Sequence, residues 1–287
     1  MTGGCHTVGM SALDGYRDDF LPVSVPAPLP LDGRVVVDLP YVHFTVLLDP
    51  ARRLAAATMV NIDGAALADL DRADEWRLDP RVPASDQAGE ELYARNDLDR
   101  GHLVRRRDPV WGPPPTAAAA NTATFVFTNA APQAAKFNQG PNLWVGLEDH
   151  VLEFARAHEQ KISVFTGPVL AVDDVVYRGI QIPRRFWKIA AWTVVGASGA
   201  AELRSAGFLL DQGPSLDDID LSLRAADSDD PPPLGPFLTF QVPVSDIGSM
   251  TALDVALLSA ADRFEPAESA RMVDRWQLIE SPAQITL

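Results

Sequence analysis

Apolar and polar positions begin to alternate at residue 43, where HFTVLLD (43–49) runs into the turn-forming DPAR (49–52) and then LAAATMV (54–60). Two such runs around a short turn predict a β-hairpin. The same reading places strands at 161–165, 186–195 and 206–210, with a further strand resuming at 242 and a helix at 251–260. A different period holds over 143–158 (LWVGLEDHVLEFARAH). There Leu143, Leu147, Val151, Phe154 and Ala155 recur at helical spacing and share one side, with Pro141 near the start, where proline is tolerated. Shorter strands are predicted at 93–96 and at 123–128 (ATFVFT). Element order and turn lengths predict an α+β fold: a central, mostly antiparallel sheet with flanking helices.

Punctuating residues divide the remainder. Residues 1–33 are rich in Pro and Gly and end in PVSVPAPLPLDG, which predicts an extended N-terminal arm lying on one domain of residues 34–287. Residues 61–91 are polar and irregular, which predicts a long surface loop of the kind that is often functional. Residues 213–236 (GPSLDDIDLSLRAADSDDPPPLGP) predict a mobile acidic, Pro-rich insertion, because too little chain follows for a second core. No apolar run approaches the ~20 residues of a membrane-spanning helix. The first twenty residues lack the basic start and apolar stretch of a secretory signal. With Cys5 as the single cysteine no intrachain disulfide can form, so the expectation is a cytoplasmic protein with no membrane partner.

Charge narrows the choice of partner. The chain carries a formal net charge of -15, which taken as a whole opposes a polyanion. Its distribution is uneven: residues 91–190 hold 12 Lys and Arg against 10 Asp and Glu, whereas the rest of the chain holds 12 against 29. The segment 93–112 (YARNDLDRGHLVRRRDPVWG) lies in that more basic part. Within it Asp99-Arg100-Gly101-His102 sets a histidine behind an arginine and a glycine that predicts a turn. An imidazole with an ordinary pKa of about 6.5 takes a proton from water near neutral pH. A guanidinium fork suits a phosphate. Asp99 reads as a turn or hydrogen-bonding residue. Arg105, Arg106 and Arg107 read as a solvated run or a contact to a nucleic-acid backbone.

A second group of polar residues follows in TNAAPQ (128–133), FNQG (137–140) and WVGLED (144–149). Asn138 offers a neutral oxygen ligand and Glu148 a charged one, a sparse set that suits Mg²⁺, with Mn²⁺ as its substitute. Zinc would require cysteines or histidines that the sequence does not cluster. With His102 activating water, the ion stabilising the leaving oxygen and Arg100 holding phosphate oxygens, the residues assemble a one-metal phosphodiester hydrolase. Asn129 reads as a loop residue that bonds backbone. His43, His150 and His158 read as structural, Trp144 and Trp187 as core, and Trp111 is open.

These motifs, together with Phe165-Thr166-Gly167-Pro168 and Phe186-Trp187-Lys188, resemble the DNA/RNA non-specific endonucleases, the endonuclease G-like branch of the ββα-metal (His-Me finger) nucleases, over about 41–264. The resemblance implies an active site of ββα-metal type on a nuclease domain. It implies His102 as general base, Asn138 as direct metal ligand, Glu148 as holder of metal-bound water and Arg100 as a phosphate contact. Ten positions separate Asn138 from Glu148, a step of about 1000° on one regular helix, so they do not share a helical face and Asn142 stands as the alternative ligand. The family's upstream phosphate-binding arginine corresponds to Arg72, Arg77 or Arg95, and Arg105 is a further candidate. The expected activity is hydrolysis of DNA and RNA with little sequence specificity. An inactive nucleic-acid-binding protein on the same fold and a phosphodiesterase for small nucleotides are the alternatives. Homodimer formation and an inhibitor protein stay open.

Overall fold

The computed structural model describes residues 14–96, 98–134, 143–213, 238–266, 271–285 and 287. Strands β1 (Val37–Pro40), β2 (Phe44–Asp49) and β3 (Leu54–Asp63) open the domain as a meander. The one-turn helix α1 (Glu90–Tyr93), strand β4 (Leu98–His102), helix α2 (Pro114–Ala123), strand β5 (Ala130–Ala134) and helix α3 (Leu143–Ala157) come next. Strands β6 (Lys161–Pro168), β7 (Val175–Tyr177), β8 (Ile180–Ile182), β9 (Arg185–Val195), β10 (Ala201–Asp211) and β11 (Leu238–Val242) follow. Helices α4 (Val244–Thr251) and α5 (Ala256–Ala260) and the short strand β12 (Gln277–Leu278) complete the described order. Eight strands form one antiparallel sheet in the order β1-β2-β3-β6-β9-β10-β11-β12, and β4–β5 and β7–β8 pair separately. This is an α+β fold.

Alternation along the strands fills two cores, one on each face of the sheet. Val46, Leu48, Val164, Phe186 and Trp192 point to the face that receives α3. Leu47, Phe165, Trp187 and Ile189 point to the face covered by α4, α5 and the N-terminal segment. Burying each large apolar side chain contributes about 1.5–3 kcal/mol, so a sheet covered on both faces is a stiff base for a site. In the N-terminal segment Phe20, Leu21 and Val25 enter the second core. Its backbone is tied to strand side chains: Tyr16 N–H donates to Thr45 Oγ1 at 2.9 Å and Arg17 N–H to Asn61 Oδ1 at 2.7 Å.

Everything from α1 to α3 is inserted between β3 and β6, which are neighbours in the sheet. Helix α3 docks along the first core through Leu147, Val151, Leu152 and Ala155. Its last turn lies so close to the end of β3 that a Cβ on Gly64 would stand 2.0 Å from the carbonyl oxygen of Ala155.

Several expectations shift. Residues 93–96 do not form a strand: Leu92 and Tyr93 are drawn into a small core with Tyr177 and Ile180, Arg95 turns the chain at φ 55°, and Asp99-Arg100-Gly101-His102 is itself strand β4. The strand expected at 123–128 is displaced to β5, because Ala-rich chain opened by prolines 114 and 115 winds into α2 and runs to Ala123. The helix expected at 251–260 is broken where Ala252 adopts φ 54°, giving α4 and α5. Residues 61–91 are not wholly a surface loop: β3 continues to Asp63, and Asp79, Val82, Gln87 and Ala88 are buried. Cys5 and all but the first residue of 213–236 lie outside the described residues.

Candidate active site

The site is built on a two-stranded ribbon. Strand β4 pairs with β5 from Leu98 opposite Ala134 to His102 opposite Ala130. At Gly101 the ribbon is tight, since a Cβ would stand 2.1 Å from the Gln133 side chain. The glycine therefore makes room inside a strand and is not the turn that the sequence suggested. Just past His102 the chain is clamped by Asn129, which is 0 % exposed. The Asn129 carbonyl accepts from Leu103 N–H at 2.9 Å and its Oδ1 from Val104 N–H at 2.8 Å; its Nδ2 donates to the carbonyls of Val104 and Thr124, both at 3.0 Å. A buried amide with every polar group matched fixes where β4 ends, and so where His102 points.

The His102 ring lies between Trp76, at a centroid distance of 4.7 Å, and Phe125, edge-on at 5.0 Å. The residue is partly exposed, but its Nε2 is buried without a hydrogen-bond partner among the described residues. Burial, with the positive charges of Arg72 and Arg106, holds the imidazole pKa down to about 3. His102 is thus neutral across the ordinary pH range, the state in which it accepts a proton.

Beyond His102 the chain turns toward α3 through Arg105. Its guanidinium pairs with Asp149 and reaches Glu148 at 3.8 Å. The other Glu148 oxygen pairs with Lys188 Nζ at 3.3 Å. Lys188 stands on β9, 1 % exposed, and donates to Thr166 Oγ1 at 3.0 Å. Asp108 is buried nearby, and burial pushes its carboxyl up to about 7 against the pull of Lys188 and Arg105. Glu148 is therefore gripped by two cations on the second turn of α3.

The remaining sequence candidates divide. Asp99 is partly exposed opposite Gln133 on the ribbon. Arg100 pairs with Glu90 at 2.5 Å and lies over the Tyr93 ring at 5.8 Å. Arg72 is exposed, paired with Asp74 at 3.0 Å and placed over the Phe125 ring at 5.3 Å. Arg77 donates to the Thr122 carbonyl at 3.1 Å, and Arg95 is exposed in its turn. Asn138 and Asn142 lie outside the described residues, and α3 begins at Leu143, after both. Trp111 is structural: it stacks on His43 at 3.5 Å and donates to the Asn61 carbonyl at 2.8 Å. Sequence reasoning assigned no role to Trp76, Asp108 or Lys188, and read Arg106 only as part of the 105–107 run. Lys188 did leave a trace, a lone charge in the apolar run FWKIAAW.

Among the described residues no three His, Cys, Asp or Glu side chains come together as a metal cluster. Glu148, on the second turn of α3, is the described acid that could take part in holding a hydrated hard divalent ion.

A histidine at the end of a β-ribbon, followed by a helix that carries an acid, is an arrangement of the ββα type. Residues 27–261 match the DNA/RNA non-specific endonuclease family, and the chain belongs to it. It is 38 % identical over 296 residues to the uncharacterized protein y4fB of Sinorhizobium fredii, covering 94 % of this chain and 43 % of that protein. It is 29 % identical over 150 residues to mitochondrial endonuclease G of Homo sapiens, covering 48 % of this chain and 47 % of that protein. The chain spans less than half the length of these relatives. Among solved structures, an EndoG/EndoGI complex superposes with a TM-score of 0.55 at 18 % identity, covering 77 % of this chain and 86 % of that one, which supports the fold.

Proposed function

We propose that this chain is a metal-dependent endonuclease that hydrolyses phosphodiester bonds of DNA and RNA with little base specificity. The observation that carries the reading is the His102 ring at the end of β4, enclosed by Trp76 and Phe125 with the charges of Arg72 and Arg106 acting on it. Because Nε2 is enclosed, Nδ1 is the nitrogen that takes a proton from the attacking water. Arg72 and Arg106, whose charges both act on His102, are assigned to the phosphate oxygens. Arg105 is turned toward the acids of α3, and Arg100 must leave Glu90 before it can serve. Lys188 and Arg105 hold the Glu148 carboxylate in place. A hydrated Mg²⁺ or Mn²⁺, bound by Asn138 or Asn142 and through water by Glu148, would supply charge stabilisation for the leaving oxygen. Phosphate contacts carry no sequence information directly, which accounts for the low specificity.

Plasmid DNA and single-stranded RNA incubated with Mg²⁺ should both be cut, cutting should stop in EDTA, and His102→Ala should lose roughly 10²–10⁴-fold in rate. Intact substrates across several divalent ions, or a His102→Ala protein as active as its parent, would refute the reading.

A further inference from the structure

Alternation along β9 sends Phe186, Ala190 and Trp192 into the core beneath α3 and Trp187, Ile189 and Ala191 into the other. Position 188 belongs to the first set, and an apolar side chain would complete it. It is a lysine, 1 % exposed. Its cross-strand neighbours are Thr166 on β6 and the fully buried Phe208 on β10. Taking an ammonium out of water costs free energy even when it is paired, and buried ion pairs are often replaced by apolar residues of similar volume with no loss of stability. Folding alone gives no reason for a charge at this place.

Its partners give one. Nζ donates to Thr166 Oγ1 at 3.0 Å, which fixes the ammonium against the sheet, and lies 3.3 Å from Glu148 Oε1. The second cation on Glu148 is a looser guide: Arg105 Nε stands 3.8 Å from Oε2, and the same guanidinium is drawn to Asp149. The Asp149 side chain is half exposed, whereas that of Glu148 is 11 % exposed. Of the two neighbouring acids on α3, the enclosed one is the one that the lysine holds.

We infer that Lys188 is a positioning residue: through Glu148 it sets the affinity of the site for a divalent cation, and it is not there for stability. Two opposed effects meet in such a lysine. Its charge repels a cation that arrives nearby, while its grip orients the carboxylate that the cation needs. Repulsion is blunted here, because Glu148 and Asp149 balance the charges of Lys188 and Arg105. Orientation therefore prevails, and loss of the lysine weakens cation binding even though it removes a positive charge. This inference rests on the metal-dependent reading of the site, and the test separates the two.

Binding of Mn²⁺ to the intact chain is measured without nucleic acid, from the paramagnetic resonance of the free ion, alongside the melting temperature in EDTA. Lys188→Met replaces the ammonium by apolar bulk and leaves Glu148 its Arg105. It should melt within about 4 °C of the parent. It should bind Mn²⁺ roughly 10- to 100-fold more weakly. In a Glu148→Gln background the same change should add little, since its effect passes through that carboxylate. A Lys188→Met protein that does not fold, that binds Mn²⁺ as tightly as its parent, or whose defect persists undiminished beside Glu148→Gln would overturn the inference and leave the metal-dependent reading standing. A parent that takes up no divalent ion would overturn that reading, and the inference with it.

Discussion

At the scale of single residues, proton affinity separates His102 from an ordinary surface histidine. Enclosure by Trp76 and Phe125, with two arginines near, lowers its pKa from about 6.5 to about 3. A base that is already neutral does not switch off as the solution is acidified through pH 6. The acid limb of kcat/KM is therefore expected below pH 5, and a break near 6.5 in a pH–rate profile would contradict the assignment. Stability follows the same sign. The folded pKa lies below the unfolded one, so the contribution of neutral His102 is present above pH 6.5 and is lost as pH falls from there toward 3. His102→Ala should flatten that part of the melting temperature against pH.

At the scale of elements, the β4–β5 ribbon is a close fit of one glycine to one glutamine. Gly101→Ala places a methyl group inside the Gln133 side chain and should cost about 1–3 kcal/mol in urea unfolding. Gln133→Ala in the same protein should recover part of that loss, and strictly additive effects would show that the two side chains do not meet. The ribbon also marks the limit of what the sequence discloses. Strands β2, β3, β6 and β9 were legible because core burial forces apolar residues into them at a recognisable period. Strand β4 (LDRGH) carries two charges and a glycine; it is a strand because Asn129 and Gln133 hold it, contacts that no local window contains. The motif and its histidine were legible for the opposite reason, since chemistry restricts the residue types. Trp76 and Lys188 were given no role because theirs come from partners far along the chain: His102 for the one, Glu148 and Thr166 for the other.

At the scale of the molecule, a protein of net charge -15 would gather the proposed polyanion with a few local cations. Many arginines are already engaged, as Arg107 and Arg156 are with Asp69 at 2.9 and 3.2 Å. Few phosphates can then be neutralised, and the salt dependence of binding should be shallow. Each phosphate contact contributes about 0.7 to the slope of log affinity against log salt for single strands. Arg72→Ala should reduce that slope by about 0.7, while Arg107→Ala leaves it nearly unchanged; equal effects would show that the assigned path for the phosphate is wrong.

Asp63 at the end of β3 pairs with Lys161 at the start of β6, with the whole candidate catalytic segment between them. Bringing these partners together closes a loop of about a hundred residues, an entropic barrier of about 4 kcal/mol. Contacts this distant in sequence form slowly. Lys188, which holds Glu148, lies on β9, later still in the chain. During synthesis, a nascent chain that already displays His102 has only the β1–β3 meander of its sheet and no lysine beneath Glu148. The order in which the polypeptide emerges thus delays the completed site until most of the protein has been made.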